Sequence, residues 1–427
     1  MPLMQPPETV VRITRTLEDA GYEAWCVGGG VRDALLGIPN LDWDLTTSAK
    51  PQQVRRLFQR TVPIGIEFGT VGVLDELNVM HEVTTFRADV ETDGRHAVVR
   101  FGDSLEEDLA RRDFTINAIA YSPSRDELRD PFGGQQDLNS RTLRAVGTPK
   151  DRMREDRLRA LRAIRFAARF GFTVDPATWQ AIIVSAPHLG RLSPERVQQE
   201  MVKTMDQVAL PSVAFGMWRE SGAFAELIPS LTGITDIELL ALDHLRRPLL
   251  ARRPQRLQTR LAGLFSAARP GTVFAMLKAL RFSNADVAWV GGLVERWHEM
   301  GHEMKEELLK DSAPSDAVLR SWAGRAGRTR LAPILRIADA RWWAERERGR
   351  GAPARSRVES VYRRAIRIAF RDPVEVADLA VNGEDLLQIG ITGKRLGETL
   401  RALLAFVLED PSRNTPDALL TRARQYA

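Results

Sequence analysis

Two short stretches near the start of the chain decide how the rest is interpreted: Val27-Gly28-Gly29-Gly30-Val31-Arg32-Asp33 and Leu41-Asp42-Trp43-Asp44-Leu45-Thr46-Thr47. The first follows a short apolar run, so we expect a strand, a glycine turn and then a few helical turns. Glycines let backbone N–H groups approach an anion closely, and the Arg32 guanidinium can bind phosphate oxygens. The spacing matches neither the dinucleotide-binding glycine fingerprint nor the Walker-type phosphate loop, so neither site is predicted.

The second stretch carries paired carboxylates. Asp42 and Asp44 are two residues apart on a predicted strand, so both side chains project from one face, ~6–7 Å apart. A cation relieves their repulsion, and Mg²⁺ fits because it prefers hard oxygen ligands and completes its shell with water and phosphates. Two such ions can activate an attacking hydroxyl and stabilise leaving pyrophosphate. Taken alone the pair is more often a polar strand end, and the upstream glycines favour the metal site. Glu82, on a later strand, is either a third carboxylate of this metal site or an ordinary half-exposed strand residue.

The composition is that of a globular protein with more than one domain. The chain has 427 residues, 44% hydrophobic and 27% charged, a length that suits about two to four domains. It has no apolar run typical of a membrane span, no secretory-signal pattern, and a single cysteine, Cys26, which cannot form an internal disulfide. We therefore predict a cytoplasmic protein in which Cys26 is a buried structural residue. The net charge of +5 permits a polyanionic partner without requiring one.

The pattern of apolar residues changes near residue 150. Before it, strands (23–27, 43–46, 69–74, 80–86) alternate with helices (9–20, 31–36, 50–58 and most of 105–121), and the polar stretch 88–102 is predicted to be mobile. Beyond it, helical periodicity dominates, at 151–170, 176–185, 194–208, 213–222, 254–281, 283–300, 356–370 and 397–409, with a flexible connector at 346–355. The predicted fold class is α+β, a small mixed sheet with helices followed by a long all-helical remainder.

A formal zinc motif occurs late in the chain, at His298-Glu299-Met300-Gly301-His302. Such a motif binds zinc only if both histidines share one face of a continuous helix. We expect the helix to end at Gly301, and no third ligand is evident nearby in the sequence. The match is therefore interpreted as chance.

A second charged group lies on the segment 154–166, interpreted as one helix. At 100° per residue, Glu155, Asp156, Arg159 and Arg162 fall within an arc of roughly 120°, whereas Arg165 falls among the core-facing apolar positions. A carboxylate beside a guanidinium matches the amino group and ring nitrogen that cytosine and adenine share. Guanine and uracil present a carbonyl oxygen instead, and such a buried mismatch rejects the wrong substrate. In the absence of the glycine turn and the Asp42/Asp44 pair, we would prefer the alternative, a salt-bridge network on a solvated helix face.

Together these segments resemble the class II tRNA nucleotidyltransferase and bacterial poly(A) polymerase family, and in particular its bacterial CCA-adding enzymes without a C-terminal HD domain. The resemblance covers about residues 9–210 and rests on blocks in matching order and spacing. The blocks are Val27 to Asp33, Leu41 to Asp44, Glu82 to Arg87, Leu105 to Ala118, Asp130 to Gly134 and Arg154 to Arg162. A weaker match, Leu379 to Leu386, lies near the end of the chain.

The resemblance implies an organisation and a set of roles. A nucleotidyltransferase-type catalytic head would span 1–147, followed by a base-recognising helical neck (148–210), a helical body (211–345) and a tRNA-binding helical tail (346–427). Asp42 and Asp44 would be catalytic and bind two Mg²⁺ ions, with Glu82 as an accessory catalytic carboxylate. Gly29 and Arg32 would hold the triphosphate, and Arg112, Asp113 and Asn117 the ribose and phosphates. Asp156 and Arg159 would read the base, supported by Arg162 and, less directly, Arg165. Gly30 stands where alanine is usual in the family, a change expected to loosen the turn.

The activity implied by the resemblance is template-independent addition of CCA to the 3′ end of tRNA from CTP and ATP, with release of pyrophosphate. The alternatives are an enzyme that adds only CC or only A, a poly(A) polymerase, and an inactive RNA-binding homologue. The stretch 88–102 resembles a loop tied to the final A addition and speaks against CC-only addition. The intact pair of Asp42 and Asp44 speaks against an inactive homologue.

Overall fold

The computed structural model describes residues 4–39, 42–92, 97–101, 104–245 and 257–426. The chain forms two compact units, one of Met1–Val208 with Met217–Leu227 and one of Ala209–Gly216 with Ile228–Ala427. A small mixed sheet in the first unit and helices in most of the rest confirm the predicted α+β class. The finer division into head, neck, body and tail stays a prediction. Within the described ranges, no helix is long and apolar enough to cross a membrane.

The elements follow one another along the chain in three groups. The sheet region consists of α1 (Glu8–Asp19), β1 (Ala24–Val27), α2 (Gly29–Leu35), β2 (Asp44–Thr47), α3 (Pro51–Leu57), β3 (Thr61–Gly65), β4 (Thr70–Leu74), β5 (Met80–Thr85), β6 (Arg87–Thr92), β7 (Ala97–Phe101), α4 (Leu105–Ala110), β8 (Ala120–Ser122), β9 (Glu127–Arg129), α5 (Gly134–Asn139) and β10 (Thr142–Leu143). Next come α6 (Pro149–Glu155), α7 (Leu158–Phe170), β11 (Thr173–Val174), α8 (Pro176–Ser185), α9 (Pro194–Gln207), α10 (Pro211–Ser221) and α11 (Ala223–Leu227). The remainder consists of α12 (Asp236–Leu245), α13 (Leu257–Phe265), α14 (Pro270–Ala279), α15 (Asn284–Leu309), α16 (Asp316–Ala326), α17 (Arg328–Glu347), α18 (Arg355–Arg371), α19 (Gly383–Gln388), α20 (Lys394–Glu409) and α21 (Pro416–Ala423).

Seven strands form the main sheet, in the order β3-β4-β5-β2-β1-β8-β9. The neighbours β2 and β5 run parallel and the other pairs antiparallel, so the sheet is mixed. Side chains alternate between the two faces. Val71, Val73 and Val83 are buried on one face, and α3 packs against the strands that carry them. Gly72 and Glu82 pair with each other on the opposite face, which is less covered.

The core beside these strands combines residues from the sheet and from α4. Its buried members are Trp25, Val27, Phe86, Leu105, Leu109, Ala118, Ala120 and Val146. Cys26 is also fully buried in β1, and burial raises the pKa of its thiol. This confirms the prediction that Cys26 is a buried structural cysteine.

The segment 105–121, predicted to be mostly helical, forms a helix only at α4. A 3-10 turn at Thr115–Asn117 and then β8 follow. The cause is pairing with a distant part of the chain. Phe114 forms a β-bridge with Ala145, and the Thr115 amide donates to the Arg144 carbonyl oxygen at 3.0 Å. These bonds replace the ones that a longer helix would make.

The prediction of a single helix over 154–166 is wrong. α6 ends at Glu155, Asp156 is extended with φ −142° and ψ 106°, and α7 begins at Leu158. The Asp156 side chain explains the break, because its Oδ1 accepts a hydrogen bond from the Leu158 backbone N–H at 3.0 Å. Arg159 and Arg162 share α7, but Glu155 and Asp156 lie outside it. The common arc deduced from one helical wheel therefore does not exist.

The predicted helix end at Gly301 is also wrong, because α15 continues past it. Gly301 is buried by the side chain of Trp297, and a Cβ on it would lie 2.8 Å from the indole ring. Glycine serves close packing here and does not end the helix. His298 and His302 do share one helix, where both are exposed, and His302 pairs with Glu306 at 3.2 Å.

Two segments predicted to be irregular are partly regular. The stretch 88–102 contains most of β6 and β7, which pair in a separate two-stranded sheet. Residues 93–96 and 102–103 lie outside the described ranges, so the predicted mobility is untested. The connector predicted at 346–355 lies between α17 and α18, and its ends belong to those helices.

Candidate active site

The glycine turn lies between β1 and α2, as predicted. Gly28 precedes the helix with φ +73°, a left-handed conformation that side chains rarely adopt. A Cβ on Gly28 would lie 3.0 Å from Arg112 Nη1 and 3.6 Å from Asp44 Oδ2. Glycine is therefore required at position 28 for two reasons. The backbone there is left-handed, and the side chains of Arg112 and Asp44 leave little room for another side chain.

Gly30 corrects one expectation. The sequence predicts that glycine in place of alanine loosens the turn, but the structure shows tight packing. Gly30 is buried, and a Cβ there would lie 2.9 Å from the Trp43 ring and 3.1 Å from the Asp42 carbonyl oxygen. Trp43 is 3% exposed. The indole of Trp43 thus occupies the space that an alanine methyl group would need.

The two aspartates do not share a strand. Asp44 is the first residue of β2 and is half-buried, whereas Asp42 lies ahead of the strand and is exposed. The prediction that both aspartates lie on one strand is therefore wrong. The buried Trp43 between them packs on Gly30, which fixes the chain before β2 in a path that is not a strand.

Asp44 and Glu82 lie on the same face of neighbouring strands. Thr46 pairs with Thr84 in the parallel ladder, and Asp44 and Glu82 are each two residues before them. Burial, together with the negative charges of Asp42 and Glu82, raises the pKa of Asp44 to about 6, against the opposing effect of Arg112. Three carboxylates thus act on one another, and a cation bound here would relieve that repulsion.

The side chains present here suit a metal ion that is coordinated partly by the protein and partly by a substrate. Among the described residues, no three His, Cys, Asp or Glu side chains are arranged to hold a metal ion by themselves, and this applies also to the region of His298 and His302. Asp42 and Asp44 offer carboxylate oxygens, and further ligands would come from water and phosphate oxygens. Mg²⁺ is usually held in this way, so the residues present fit that ion.

Asp113 is committed to an internal ion pair. Its Oδ2 accepts from Arg162 Nε at 2.9 Å and Nη2 at 2.6 Å, and its Oδ1 accepts from the Asn117 amide at 2.9 Å. Burial opposes ionisation of Asp113, but Arg162 and Asn117 outweigh it and hold the pKa of the carboxyl below its usual range. Asp113 therefore orients Arg162 and Asn117, which both line the site.

Arg32 is more buried than its predicted role requires. Its Nε and Nη2 donate to Asp33 at 2.8 and 2.5 Å, and its Nη1 donates to Asn117 at 2.7 Å. The guanidinium lies over the rings of Phe166 and Phe170, 5.2 and 4.7 Å from their centroids. Burial lowers the pKa of Arg32, although Asp33 opposes the shift. Arg32 thus joins α2, the Thr115–Asn117 turn and α7, and the contact with a triphosphate stays a prediction.

Asp156 and Arg159 lie in the same cleft, and each has its own partners. Asp156 Oδ2 accepts from Arg196 Nη2 at 2.8 Å. Arg159 Nη1 donates to Glu155 at 2.6 Å, and its Nη2 donates to the Arg111 carbonyl oxygen at 3.0 Å. Arg196 therefore holds the Asp156 side chain in place, and Glu155 and the Arg111 carbonyl oxygen hold that of Arg159.

Arg165 is buried, as its position on the helical wheel suggested. Its Nε donates to Glu200 at 2.7 Å, its Nη1 donates to Gln207 at 3.2 Å, and the guanidinium lies 4.4 Å from the centroid of Phe166. These contacts join α7 to α9. Arg165 is still part of the wall of a cleft.

Two clefts meet at these residues. One has a volume of about 420 Å³ and extends from Asp44 and Glu82 to Asp156 and Arg159. The other has a volume of about 300 Å³ and extends from Gly28 along α7. Asp44, Arg112, Asp113 and Arg162 line both. Every predicted site residue apart from Asp42 lines at least one of them.

Several lining residues were missed by the sequence interpretation. They are Arg111, Arg169, Lys203 and Gln207, with Arg196 behind Asp156. Lys203 and Gln207 are four residues apart on α9, a spacing that places them on one helix face. That spacing was the available signal, but the sequence does not show which face α9 turns toward the site.

Comparisons with known proteins show to which family the chain belongs. Residues 24–144 match the family model described as the Poly A polymerase head domain, and residues 171–234 match the probable RNA and SrmB-binding site of polymerase A. A CCA-adding enzyme of Geobacillus kaustophilus is 35% identical over 97% of this chain and 96% of its own length. One of Lactiplantibacillus plantarum is 34% identical over 97% and 95%. The solved structure of the Bacillus stearothermophilus CCA-adding enzyme in complex with CTP is 32% identical, with a TM-score of 0.75 over 99% of both chains. This chain therefore belongs to the family of CCA-adding enzymes, which are tRNA nucleotidyltransferases.

Proposed function

We propose that this chain adds CCA to the 3′ end of tRNA, taking nucleotides from CTP and ATP without a template and releasing pyrophosphate. The observation that carries the proposal is that one cleft is lined both by Asp44 and Glu82, which interact with Asp42, and by Asp156 and Arg159. An acidic group suits the reacting phosphate, and a carboxylate with a guanidinium suits the base. Relatives that match nearly the whole chain carry the name CCA-adding enzyme.

The reaction joins the 3′-hydroxyl oxygen of tRNA to the α-phosphorus of the nucleotide. The bond from that phosphorus to the oxygen bridging to the β-phosphate breaks, pyrophosphate leaves with the bonding electrons, and the hydroxyl proton passes to water. Nucleotidyltransferases of this family use divalent metal ions, and we propose Mg²⁺ held by Asp42 and Asp44. When bound, Mg²⁺ would lower the pKa of the attacking hydroxyl and neutralise charge on the leaving pyrophosphate. Glu82 would keep the negative potential that favours a cation at this point.

The triphosphate would lie along the smaller cleft. Gly28 and Gly29 allow backbone to approach phosphate oxygens closely, and Arg112 reaches the same turn. Arg169 and Lys203 add positive charge to this wall. Arg32 and Asn117, already bonded to each other, would hold the wall in shape and contact the ribose or phosphates from there.

Base selection would fall to Asp156 and Arg159, with Arg162 beside them. The Asp156 carboxylate accepts from the amino group of cytosine or adenine, and the Arg159 guanidinium donates to the neighbouring ring nitrogen. Uracil and guanine would place a carbonyl oxygen against the carboxylate and leave both groups unpaired. Arg165 would support the pair indirectly through α7 and α9.

We further propose that the helical tail, 346–427, binds the tRNA and that the protein works in the cytoplasm, where tRNA is matured. The basic balance of the chain, net +5, suits a polyanionic partner.

The decisive experiment offers the purified protein tRNA that lacks its CCA end, with CTP, ATP or both, followed by sequencing of the 3′ ends. We expect CC from CTP alone and CCA from the mixture, with Mg²⁺ required. Long A tracts would indicate a poly(A) polymerase. Products that never extend beyond CC, or that contain only one added A, would indicate an enzyme that adds only CC or only A. Asp42→Ala is the matched control, and full activity in that variant would exclude the assigned metal site.

A further inference from the structure

The catalytic face of the sheet continues beyond the acidic group onto two further strands. From Asp44 on β2 the register runs to Glu82 on β5, then to Gly72 on β4 and to Val62 on β3. Residues paired in this way lie on one face of the sheet. The row is acidic at β2 and β5 and apolar at β4 and β3.

Apolar side chains cover this second half of the row. Ile64 and Met80 meet over Gly72, where a Cβ would lie 2.6 Å from Ile64 Cδ1 and 2.8 Å from Met80 Sδ. Val62, Ile64 and Met80 are 37%, 40% and 42% exposed, respectively, which is high for side chains of this kind in a sheet. We call these three residues around Gly72 the apolar ledge.

The position of the ledge relates it to the acceptor strand. In the proposed function the nucleotide lies in the two clefts, against their arginines. The larger cleft also reaches Thr70, Glu82 and Thr84, but Val62, Ile64 and Met80 line neither cleft. The attacking hydroxyl must reach Asp44 without displacing that nucleotide. Strands are ~4.8 Å apart, so β4 and β3 lie roughly 10 and 14 Å from β2 on the side away from β1. A nucleoside whose 3′-oxygen lies at Asp44 would direct its base along this row, toward the side chains that meet over Gly72 on β4.

The chemistry of the ledge suits a base that changes at each step. During CCA addition the terminal base is first that of the unextended tRNA, then cytosine, then cytosine again. The side chains of Val62, Ile64 and Met80 have no N–H or O–H donor and no oxygen acceptor, so they can pack on the face of any base without reading its edge. A surface of this kind tolerates each successive terminus.

We propose that the apolar ledge of Val62, Ile64 and Met80 binds the base of the 3′-terminal nucleotide of the tRNA acceptor end and thereby positions its 3′-hydroxyl at Asp44. The inference rests on the proposed function. It assigns the acceptor base to the ledge and leaves the nucleotide to the two clefts, which the ledge residues do not line.

The test combines a ledge variant with a modified tRNA. In the double variant Ile64→Ser with Met80→Ser, kcat/KM for tRNA without CCA should fall about tenfold, because the lost apolar contact is of that order. The dissociation constant for CTP, measured without tRNA, should not change. Met80→Leu should keep most of the activity. Leu77→Ser is the matched control, since Leu77 lies in the turn before β5 and is 81% exposed.

A tRNA whose terminal nucleotide lacks its base separates binding of the base from a structural effect. Wild-type protein should use this substrate about tenfold less well than intact tRNA. The double variant should use both substrates equally, because the group that recognises the base is gone. An undiminished preference for the intact terminus in the double variant would overturn the proposal, as would activity equal to that of wild type. If wild-type protein adds no nucleotide to any tRNA, the proposed function itself fails.

Discussion

Asp44 lowers the stability of the ligand-free protein when it is ionised, although the proposed reaction requires its carboxylate. Its carboxylate lies half-buried beside Asp42 and Glu82, with a pKa of about 6 against an ordinary value of 3.8. A raised pKa means that the folded state binds the proton more tightly than the unfolded state does. The stability from this group is present below about pH 4 and is lost as the pH rises through 6. A bound cation would reverse that loss.

The variant Asp44→Asn should therefore separate stability from activity. It should abolish transfer of every nucleotide, while the metal-free protein at about pH 8 should melt about 2–4 °C higher than wild type. The difference should vanish at about pH 4, where Asp44 is protonated in the folded state. Thermal melts at the two pH values, with a tRNA extension assay, test both parts. A melting temperature below that of wild type at pH 8 would contradict the assigned repulsion.

Gly30 is a second residue whose role is visible only in three dimensions. Gly30→Ala should destabilise the protein by about 1–3 kcal/mol, because the new methyl group would overlap the buried Trp43 ring. The same shift should lower kcat by displacing Asp42, whose carbonyl oxygen would lie 3.1 Å from that methyl group. Urea unfolding and initial rates measure the two effects. Gly271→Ala, where nothing lies within 4 Å of a Cβ, is the control and should change neither.

At the scale of elements, the break between α6 and α7 arranges the two residues proposed to read the base. Asp156 lies in the break and is held by Arg196 from α9, whereas Arg159 is on α7 and is held by Glu155 at the end of α6. Three helices thus determine where one carboxylate and one guanidinium lie. A continuous helix could not have placed them independently of each other.

Loss of the support from α9 should weaken base selection. In Arg196→Met the Asp156 carboxylate loses its ion pair and can rotate, so misincorporation of UTP and GTP should rise about tenfold relative to CTP and ATP. Asp156→Ala should have a larger effect in the same direction. Competition assays with all four nucleotides measure the ratio. Arg154→Met is the control, since Arg154 lies on α6 with a side chain that is 71% exposed. Equal selectivity in the Arg154 and Arg196 variants would remove α9 from base selection.

At the scale of the whole molecule, the balance of basic and acidic side chains leads us to expect that tRNA and a nucleotide differ in how strongly salt affects their binding. The chain carries 61 basic and 56 acidic side chains. Several of its arginines are neutralised internally, as Arg32 is by Asp33 and Arg162 is by Asp113. Binding of a long polyanion therefore depends on the basic side chains that remain, and it should respond to salt more strongly than binding of one nucleotide.

Salt should thus affect tRNA far more than CTP. Between about 50 and about 200 mM KCl, the KM for tRNA should rise at least about tenfold, because each neutralised phosphate releases counterions. The KM for CTP should change much less over the same range at constant Mg²⁺. Parallel changes in both values would mean that tRNA is bound through few phosphate contacts.

The sequence by itself determined the α+β class, the glycine turn after β1, the strands that carry Asp44 and Glu82, and the family. These features follow from local rules, since strand alternation, glycine turns and motif spacing are set by residues close together in the chain. Only the tertiary structure decided the break at Asp156, the continuation of α15 through Gly301 and the path of Asp42. It also decided the partners of the charged groups. Arg32 meets Asn117, Arg162 meets Asp113 and Asp156 meets Arg196 across separations of 85, 49 and 40 residues. Such pairs depend on how helices pack against the sheet, and a linear pattern of charges does not contain that geometry.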